Sequence, residues 1–168
     1  MLNRLTADEV RAKLNLQPHP TCGYIAPIFE SQFIAPEEAL QGFSGPRHIG
    51  FTQWFMVTTD RPVHPHRIGA AQIYHHYLGA DLEVMAFAPD GTVATHRLAN
   101  TLSNGALPLL LIPEQTFHTA HIIDGEFALL STTLWPAVDP AHDVELSSPD
   151  DLMARFPQAR DQIAVFFS

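Results

Sequence analysis

The chain has 168 residues, of which 46% are hydrophobic and only 16% charged, so it can build the core of a folded domain and is not disordered. Eighteen acidic residues against nine basic ones give a formal charge of −9, which argues against a partner such as duplex nucleic acid or an anionic membrane, because both require positive charge. No apolar run approaches the roughly 20 residues of a membrane span. The lone Cys22 excludes an internal disulfide, and the N-terminus is too polar for a secretion signal. These features predict a single cytoplasmic domain over residues 1–168.

Helical patterns occur near the two ends of the chain. Thr6 followed three residues later by Glu9 matches a capping box and predicts a short helix over residues 6–15. A second helical segment is predicted over residues 149–165, because Ser148 can cap it and the proline that follows suits a first helical turn.

The chain between these segments, from about residue 20 to residue 147, is predicted to form a β-barrel core. Stretches rich in β-branched and aromatic residues, separated by turn sequences, favour strands. These stretches are Tyr24–Ile34, His48–Thr59, Val63–Arg67, Gln72–Leu78, Leu82–Ala88, Thr92–Ala99, Leu107–Ile112, Phe117–Ile123 and Glu126–Trp135. The stretch Ala35–Arg47 is predicted to be a loop over the barrel edge. Short, closely spaced strands with helices only at the ends indicate a sandwich or barrel.

Polar side chains capable of chemistry concentrate in the middle of the chain. The ten histidines exceed the lysines and arginines together, which favours a metal site or acid–base chemistry. His64 and His66 are two residues apart, so on a strand they point to the same face. On the next strand, Gln72, Tyr74 and His76 share one face.

This spacing resembles the cupin superfamily, whose first motif is His-x-His followed by a carboxylate and a glycine. The matching positions are His64, His66, Gln72 and Gly79, with Gln72 where the motif usually has a carboxylate. The second motif, Pro-x-Gly-x-x-His, is matched by Pro113, Gln115 and His118. Flanking motifs are similar to those of the cupin-5 (DUF985) group. They are matched by Leu16, Pro18, His19, Pro20, Gly23 and Tyr24, and in the middle by His66, Arg67, Gln72, Tyr74 and His75. The resemblance extends from Leu16 to Pro157.

The resemblance implies an all-β cupin double-stranded β-helix, that is, a jelly-roll barrel with short terminal helices. It also implies a divalent metal ion, one of Fe, Mn, Ni, Co or Zn. The predicted metal ligands are His64, His66, Gln72 and His118. Such an ion would keep its 2+ charge among neutral ligands and act as a strong Lewis acid.

Other residues near the predicted metal ligands are candidates for catalysis and for substrate binding. Tyr74 and His76 are candidate catalytic residues that would move a proton. Arg67 is a candidate clamp for a substrate anion, and Tyr24 and Gln53 are candidate pocket-lining residues.

The leading functional hypothesis is a metal-dependent enzyme of isomerase, epimerase, lyase or dioxygenase type that acts on a small polar or anionic metabolite. One alternative is a metal-free metabolite-binding protein, and another is a metal-free epimerase-like enzyme that uses a His and a Tyr. A homodimer is also expected, with the apolar strand Phe51–Val57 as its candidate surface. The barrel fold hosts many chemistries and does not choose between these alternatives.

Overall fold

The computed structural model of the protein describes residues 5–168, and residues 1–4 of the polar N-terminus lie outside this range. The first helix, α1 (Ala7–Leu14), begins at the predicted capping box. The Thr6 side chain accepts a hydrogen bond from the backbone N–H of Glu9, and the Glu9 carboxylate accepts one from the backbone N–H of Thr6. The two reciprocal bonds satisfy donors that a helix start leaves unpaired.

The body of the chain is β-structure, as expected. In chain order, the strands are β1 (Gln17–Pro18), β2 (Tyr24–Glu30), β3 (Ile34–Ala35), β4 (Arg47–His48), β5 (Phe51–Thr58), β6 (Val63–Ile68), β7 (Ala71–Gly79), β8 (Leu82–Phe87), β9 (Val93–Leu98), β10 (Leu109–Ile112), β11 (Phe117–Ile122), β12 (Phe127–Trp135) and β13 (Val144–Leu146). The larger sheet has the order β1-β2-β5-β12-β7-β10 and the smaller one β13-β6-β11-β8-β9. Neighbouring strands in both sheets are antiparallel, which is the arrangement of a jelly roll.

Several predicted boundaries differ from the observed ones. The predicted strand Tyr24–Ile34 is two strands, β2 and β3, and the strand predicted from Leu107 begins at Leu109. The predicted helical segment 149–165 is divided into α2 (Pro149–Arg155) and α3 (Arg160–Phe166) by a 3₁₀ turn that starts at Pro157. A proline lacks the N–H that a continuing helix needs, so the division follows from the sequence.

The main core lies between the two sheets. Alternate residues of β5, such as Phe55 and Val57, point inward and pack against Leu82 and Ala120 of the smaller sheet. The intervening Met56 points outward and packs under Val10 of α1. The side-chain period of two therefore gives β5 two buried faces.

Helices and one loop cover further apolar surfaces of the sheets and the barrel end. On the outer face of the smaller sheet, Leu152 of α2 and Ile163 of α3 pack against Phe87. At one end of the barrel, Phe43 from the predicted loop Ala35–Arg47 packs onto a cluster that contains Ile68. The described residues contain no helix long and apolar enough to cross a membrane.

The strand proposed as a dimer surface has no free edge. β5 is hydrogen-bonded to β2 on one side and to β12 on the other, so it cannot pair with a second chain through its backbone. The outward face of its Met56 is covered within the same chain.

Candidate functional site inside the barrel

Two imidazole rings lie against each other where β6 and β11 pair. His66 and His118 are opposite each other in the register of these strands, and their ring centroids are 4.2 Å apart. His66 is 4% exposed and His118 is fully buried. Strand pairing therefore places two residues that are far apart in sequence in direct contact.

His64 does not join this pair, although the spacing predicted a shared face. The register of β6 shifts between Val63, which is opposite Ala120, and His66, which is opposite His118. Three positions along β6 thus match two along β11, which defines a β-bulge at His64 and Pro65. Because an extra residue breaks the alternation of side chains, Val63 and His66 are buried and His64 is exposed.

The facing sheet contributes the partners of His118. On β7, the Gln72 side-chain nitrogen and the Tyr74 hydroxyl each lie 3.0 Å from Nε2 of His118. The Thr132 hydroxyl of β12 donates a hydrogen bond to Oε1 of Gln72 over 3.1 Å. All four side chains are buried, so the sheets are joined by a closed polar network within an apolar core.

Hydrogen-bond roles fix the tautomers of both histidines. Nδ1 of His66 lies 2.8 Å from the carbonyl oxygen of His64, and Nδ1 of His118 lies 3.3 Å from that of Thr116. A carbonyl oxygen only accepts, so each Nδ1 carries a proton and each neutral ring has its lone pair on Nε2. Nε2 of His118 therefore accepts from the hydroxyl of Tyr74 and the amide of Gln72.

Burial keeps this network uncharged. It lowers the pKa of His66 to about 4, and it lowers the pKa of His118 well below its ordinary value, with a further contribution from neighbouring His66. Burial also raises the pKa of Tyr74 well above its ordinary value. At neutral pH the site thus holds neutral imidazoles and a neutral phenol, joined by the bond from the Tyr74 hydroxyl to Nε2 of His118.

Gln53 lies in the same layer of the barrel. It is opposite Thr132 in the pairing of β5 with β12, and Thr132 is in turn opposite Tyr74 of β7. Residues opposite each other on neighbouring strands share a face, so Gln53 points toward the barrel interior as Tyr74 does. Gln53 is half-buried, which makes it the most accessible residue of this row.

His76 and Arg67, predicted for catalysis and for substrate binding, lie outside the network. His76 is buried, but its Nε2 donates to the carbonyl of Ala80 over 2.8 Å, and its Nδ1 has no partner within residues 5–168. Arg67 forms an ion pair on the outer side of β6, where its Nε donates to Glu145 over 2.7 Å.

Tyr24 also lies outside the barrel interior. It pairs with Met56 in the register of β2 and β5, and both side chains belong to the cluster beneath α1. The guanidinium of Arg11 lies over its ring at 4.3 Å from the centroid. This packing gives Tyr24 a structural role in holding α1 against the sheet.

The folded donor set does not fit a divalent metal ion. In residues 5–168, no group of three or more His, Cys, Asp or Glu side chains is placed to hold one. Of the four predicted ligands, His64 is outside the cluster, and the Nε2 lone pair of His118 is already engaged by Gln72 and Tyr74. None of the remaining groups carries the negative charge that a divalent ion favours.

Thr132 and the contact between Tyr74 and His118 were not predicted from the sequence. Thr132 lies between Ser131 and Thr133 in β12, and its buried hydroxyl requires a partner. That signal marks the residue but not its partner Gln72, since the two strands meet only through long-range pairing.

Antiparallel sheets closed around a layer of His, Gln and Tyr side chains define a cupin-type jelly-roll barrel. A model of the family described as cupin superfamily (DUF985) matches residues 8–146, and the chain belongs to this family. The resemblance inferred from the motifs is thereby confirmed. A search of curated proteins finds no match.

Solved structures confirm the barrel fold. A protein of Shewanella oneidensis superposes with a TM-score of 0.82 at 23% identity, covering 96% of each chain. A hypothetical protein from Leishmania major gives a TM-score of 0.84 at 21% identity, covering 95% of this chain and 97% of that one. Oxalate decarboxylase of Lactobacillus farciminis, solved as a formate complex, gives 0.52 at 12% identity and covers 89% of this chain and 41% of its own. At these identities the likeness concerns the fold.

Proposed function

We propose that this cupin binds a small polar metabolite against the buried His66–Tyr74–His118 layer and moves a proton on it without a metal ion, as an isomerase or epimerase does. The observation that supports this most is the bond from the Tyr74 hydroxyl to Nε2 of His118, in which both groups are neutral. A neutral acid and a neutral base in contact are the components of general acid–base catalysis.

The proton would move through these two residues in a balanced relay. The Tyr74 oxygen takes a proton from the ligand as its own proton passes to Nε2 of His118. Burial lowers the pKa of His118, so the imidazolium forms only transiently, with its Nδ1–H donating to the Thr116 carbonyl. Return of the proton through Tyr74 to a neighbouring atom of the ligand completes an isomerisation. Gln72 holds the His118 ring in place through its amide.

The buried side chains around His66, Tyr74 and His118 favour a ligand whose contacting part is uncharged. The network contains no cationic or anionic side chain, and an unpaired charge is costly in a dry site. No side chain or backbone group of residues 5–168 bonds to Nε2 of His66, so its lone pair is suited to accept a hydrogen bond from a ligand hydroxyl. A polyol or a hydroxy-carbonyl compound matches these groups.

Pure ligand binding is the second candidate, and burial is the observation that favours it. Tyr74 is 2% exposed and His118 is fully buried, so a ligand that reaches them must displace part of the core. A binding protein needs only contact with Gln53, the half-buried residue of the layer.

The test is solvent deuterium exchange, which reports proton abstraction from carbon. Keto sugars, sugar phosphates and hydroxy acids are incubated with the protein in D2O, and proton NMR follows loss of the C–H signal next to the carbonyl. We expect catalysed exchange with at least one compound, and we expect Tyr74→Phe and His118→Gln to remove it. Tyr77→Phe is the matched control, because the Tyr77 phenol is 45% exposed and bonded to Ser131 on the outer face.

The outcomes separate the candidates. Exchange that survives treatment with a chelator and is lost in Tyr74→Phe supports the proposal. Exchange that stops with the chelator and returns with a metal ion overturns the metal-free mechanism. Saturable ligand binding without exchange overturns catalysis in favour of the binding protein.

A further inference from the structure

A second polar pocket opens on the surface beside the buried layer. It has a volume of about 200 Å³. The pocket is lined by His19, Pro20, Gly23, Asp60, Arg61, Pro62 and His64. It contains two imidazoles and a guanidinium in a chain whose formal charge is −9, so it is a local concentration of hydrogen-bond donors on an acidic protein.

Two turns, tied to each other, build this pocket. In the first, the backbone N–H of His19 donates to the carbonyl of Gly23 over 2.8 Å. Gly23 has φ +63°, and a Cβ there would lie 2.2 Å from the carbonyl oxygen of Met56, so only glycine fits. The second turn joins Thr58 and Arg61 through reciprocal backbone bonds.

The bulge in β6 connects the turns and directs His64 outward. The His64 backbone N–H donates to the carbonyl of Thr21 over 2.9 Å, which fastens the first turn to the start of β6. The same bulge that removes His64 from the barrel interior thus gives it a place in the pocket wall.

Among the described residues, the ring of His19 and the guanidinium of Arg61 donate to no protein acceptor. Nδ1 of His19 accepts from the Thr21 N–H over 3.2 Å, so the neutral ring carries its proton on Nε2 and presents a donor. Within residues 5–168, the Arg61 side chain forms no ion pair or hydrogen bond, and its guanidinium lies 5.3 Å from the centroid of the Tyr24 ring. A planar guanidinium resting on an aromatic ring is held in place while its N–H groups remain available.

Asp60 is the opposing charge in the pocket wall. Together with His19 and His64 it has the composition of a cation site, but in the described part of the chain no three such groups are placed to hold a metal ion. Its carboxylate therefore lowers the affinity of the pocket for an anion, because like charges repel.

From these groups we propose that the pocket binds an oxyanion, a phosphate or a carboxylate, through the Arg61 guanidinium and the imidazole N–H groups of His19 and His64. Charge-assisted hydrogen bonds from a guanidinium to an oxyanion are stronger than bonds between neutral groups. The two imidazoles would donate further hydrogen bonds to the same oxyanion. The site is made by its own residues and does not depend on catalysis inside the barrel.

The test is an NMR titration of the imidazole C–H signals at constant ionic strength. Inorganic phosphate and acetate are the probes, in separate series. We expect saturable shifts of the His19 and His64 signals with one or both anions, and comparison of the series shows whether the site is selective for phosphate or general for oxyanions.

Variants at neighbouring positions should act in opposite directions. Arg61→Gln should weaken binding by about ten-fold, as expected for loss of one charge-assisted bond. Asp60→Asn should tighten it several-fold, a change that misfolding cannot produce. Arg160→Gln removes the same charge from an exposed position on α3 outside the pocket and should bind like the wild type.

Two results would overturn the proposal. One is the absence of saturable shifts with both anions. The other is tighter binding of Zn²⁺ than of phosphate, with Asp60→Asn weakening it, which would make the pocket a cation site.

Discussion

Replacing Gln72 by Glu tests the neutral network, because it restores the carboxylate that the cupin motif usually has. In the wild type, the Gln72 amide donates to Nε2 of His118 over 3.0 Å. A carboxylate at this place would set an oxygen lone pair against the lone pair of Nε2. Gln72→Glu can fold with this geometry only if the pair takes up one proton, either on Glu or on His118.

This proton makes the stability of Gln72→Glu fall as the pH rises. Above about pH 6.5 an unfolded chain holds no proton on either group, whereas the folded pair keeps one, since its pKa is raised. The free energy of unfolding should therefore fall by about 1.4 kcal/mol for each pH unit, or about 3 kcal/mol over two units, relative to the wild type. In the wild type, His118 is neutral in the folded and in the unfolded chain above about pH 6.5, so Gln72 and His118 do not make the free energy of unfolding depend on pH there.

Urea unfolding of both proteins at a series of pH values measures this difference. Gln53→Glu is the control, because Gln53 points into the same layer but is half-buried and its carboxylate can stay hydrated and ionised. If the stability of Gln72→Glu ran parallel to that of the wild type above pH 6.5, then His118 would not face position 72 in a dry site, and the reasoning would fail.

Three other outcomes follow from burial and pairing. Acid should destabilise the wild type, because His66 with a folded pKa of about 4 stays neutral while its unfolded form takes up a proton. The contribution of His66 to the free energy of unfolding is fully present above about pH 6.5, and about 3 kcal/mol of it is lost as the pH falls to about 4. This loss should be absent in His66→Phe. Equal pH dependence of stability in the two proteins would contradict the prediction. Leu152→Ala should cost about 2–5 kcal/mol in thermal or urea unfolding, since Leu152 is fully buried beneath the smaller sheet, and a loss below about 1 kcal/mol would show that α2 is loosely packed. Arg47→Gln breaks a pair whose side chains are 11% and 4% exposed and should cost about 3–5 kcal/mol; adding Asp143→Asn should recover part of it, and additive losses would refute the coupling.

The sequence predicted those parts of the fold that local chemistry determines. The capping box at Thr6 and the cap at Ser148 are confirmed, because each is made by residues three positions apart. The inward face of β7 is also confirmed, since Gln72, Tyr74 and His76 alternate regularly and all three are buried. The barrel fold was predicted from the family motifs, because their order and spacing follow the order of the strands along the chain.

The arrangement at the site depended on two features that local patterns do not contain. The bulge at Pro65 removed His64 from the face it was predicted to share with His66. A proline within a strand often indicates a bulge, so the outward direction of His64 could have been predicted from Pro65. The contact between Tyr74 and His118 was not, because it joins residues of opposite sheets whose distance is set by how the barrel packs.

The proposed function depends on a neutral His118 that accepts a hydrogen bond from Tyr74, and a ¹⁵N-edited NMR spectrum of the imidazole rings reports this state. The measurement uses protein purified without a histidine tag and follows the spectrum from neutral pH into acid. We expect a His118 ring that stays neutral, carries its proton on Nδ1 and shows a hydrogen-bonded lone pair on Nε2, with this signature shifted in Tyr74→Phe. A ring that titrates near its ordinary pKa, carries its proton on Nε2, or shows Nε2 bound to a metal ion would contradict it.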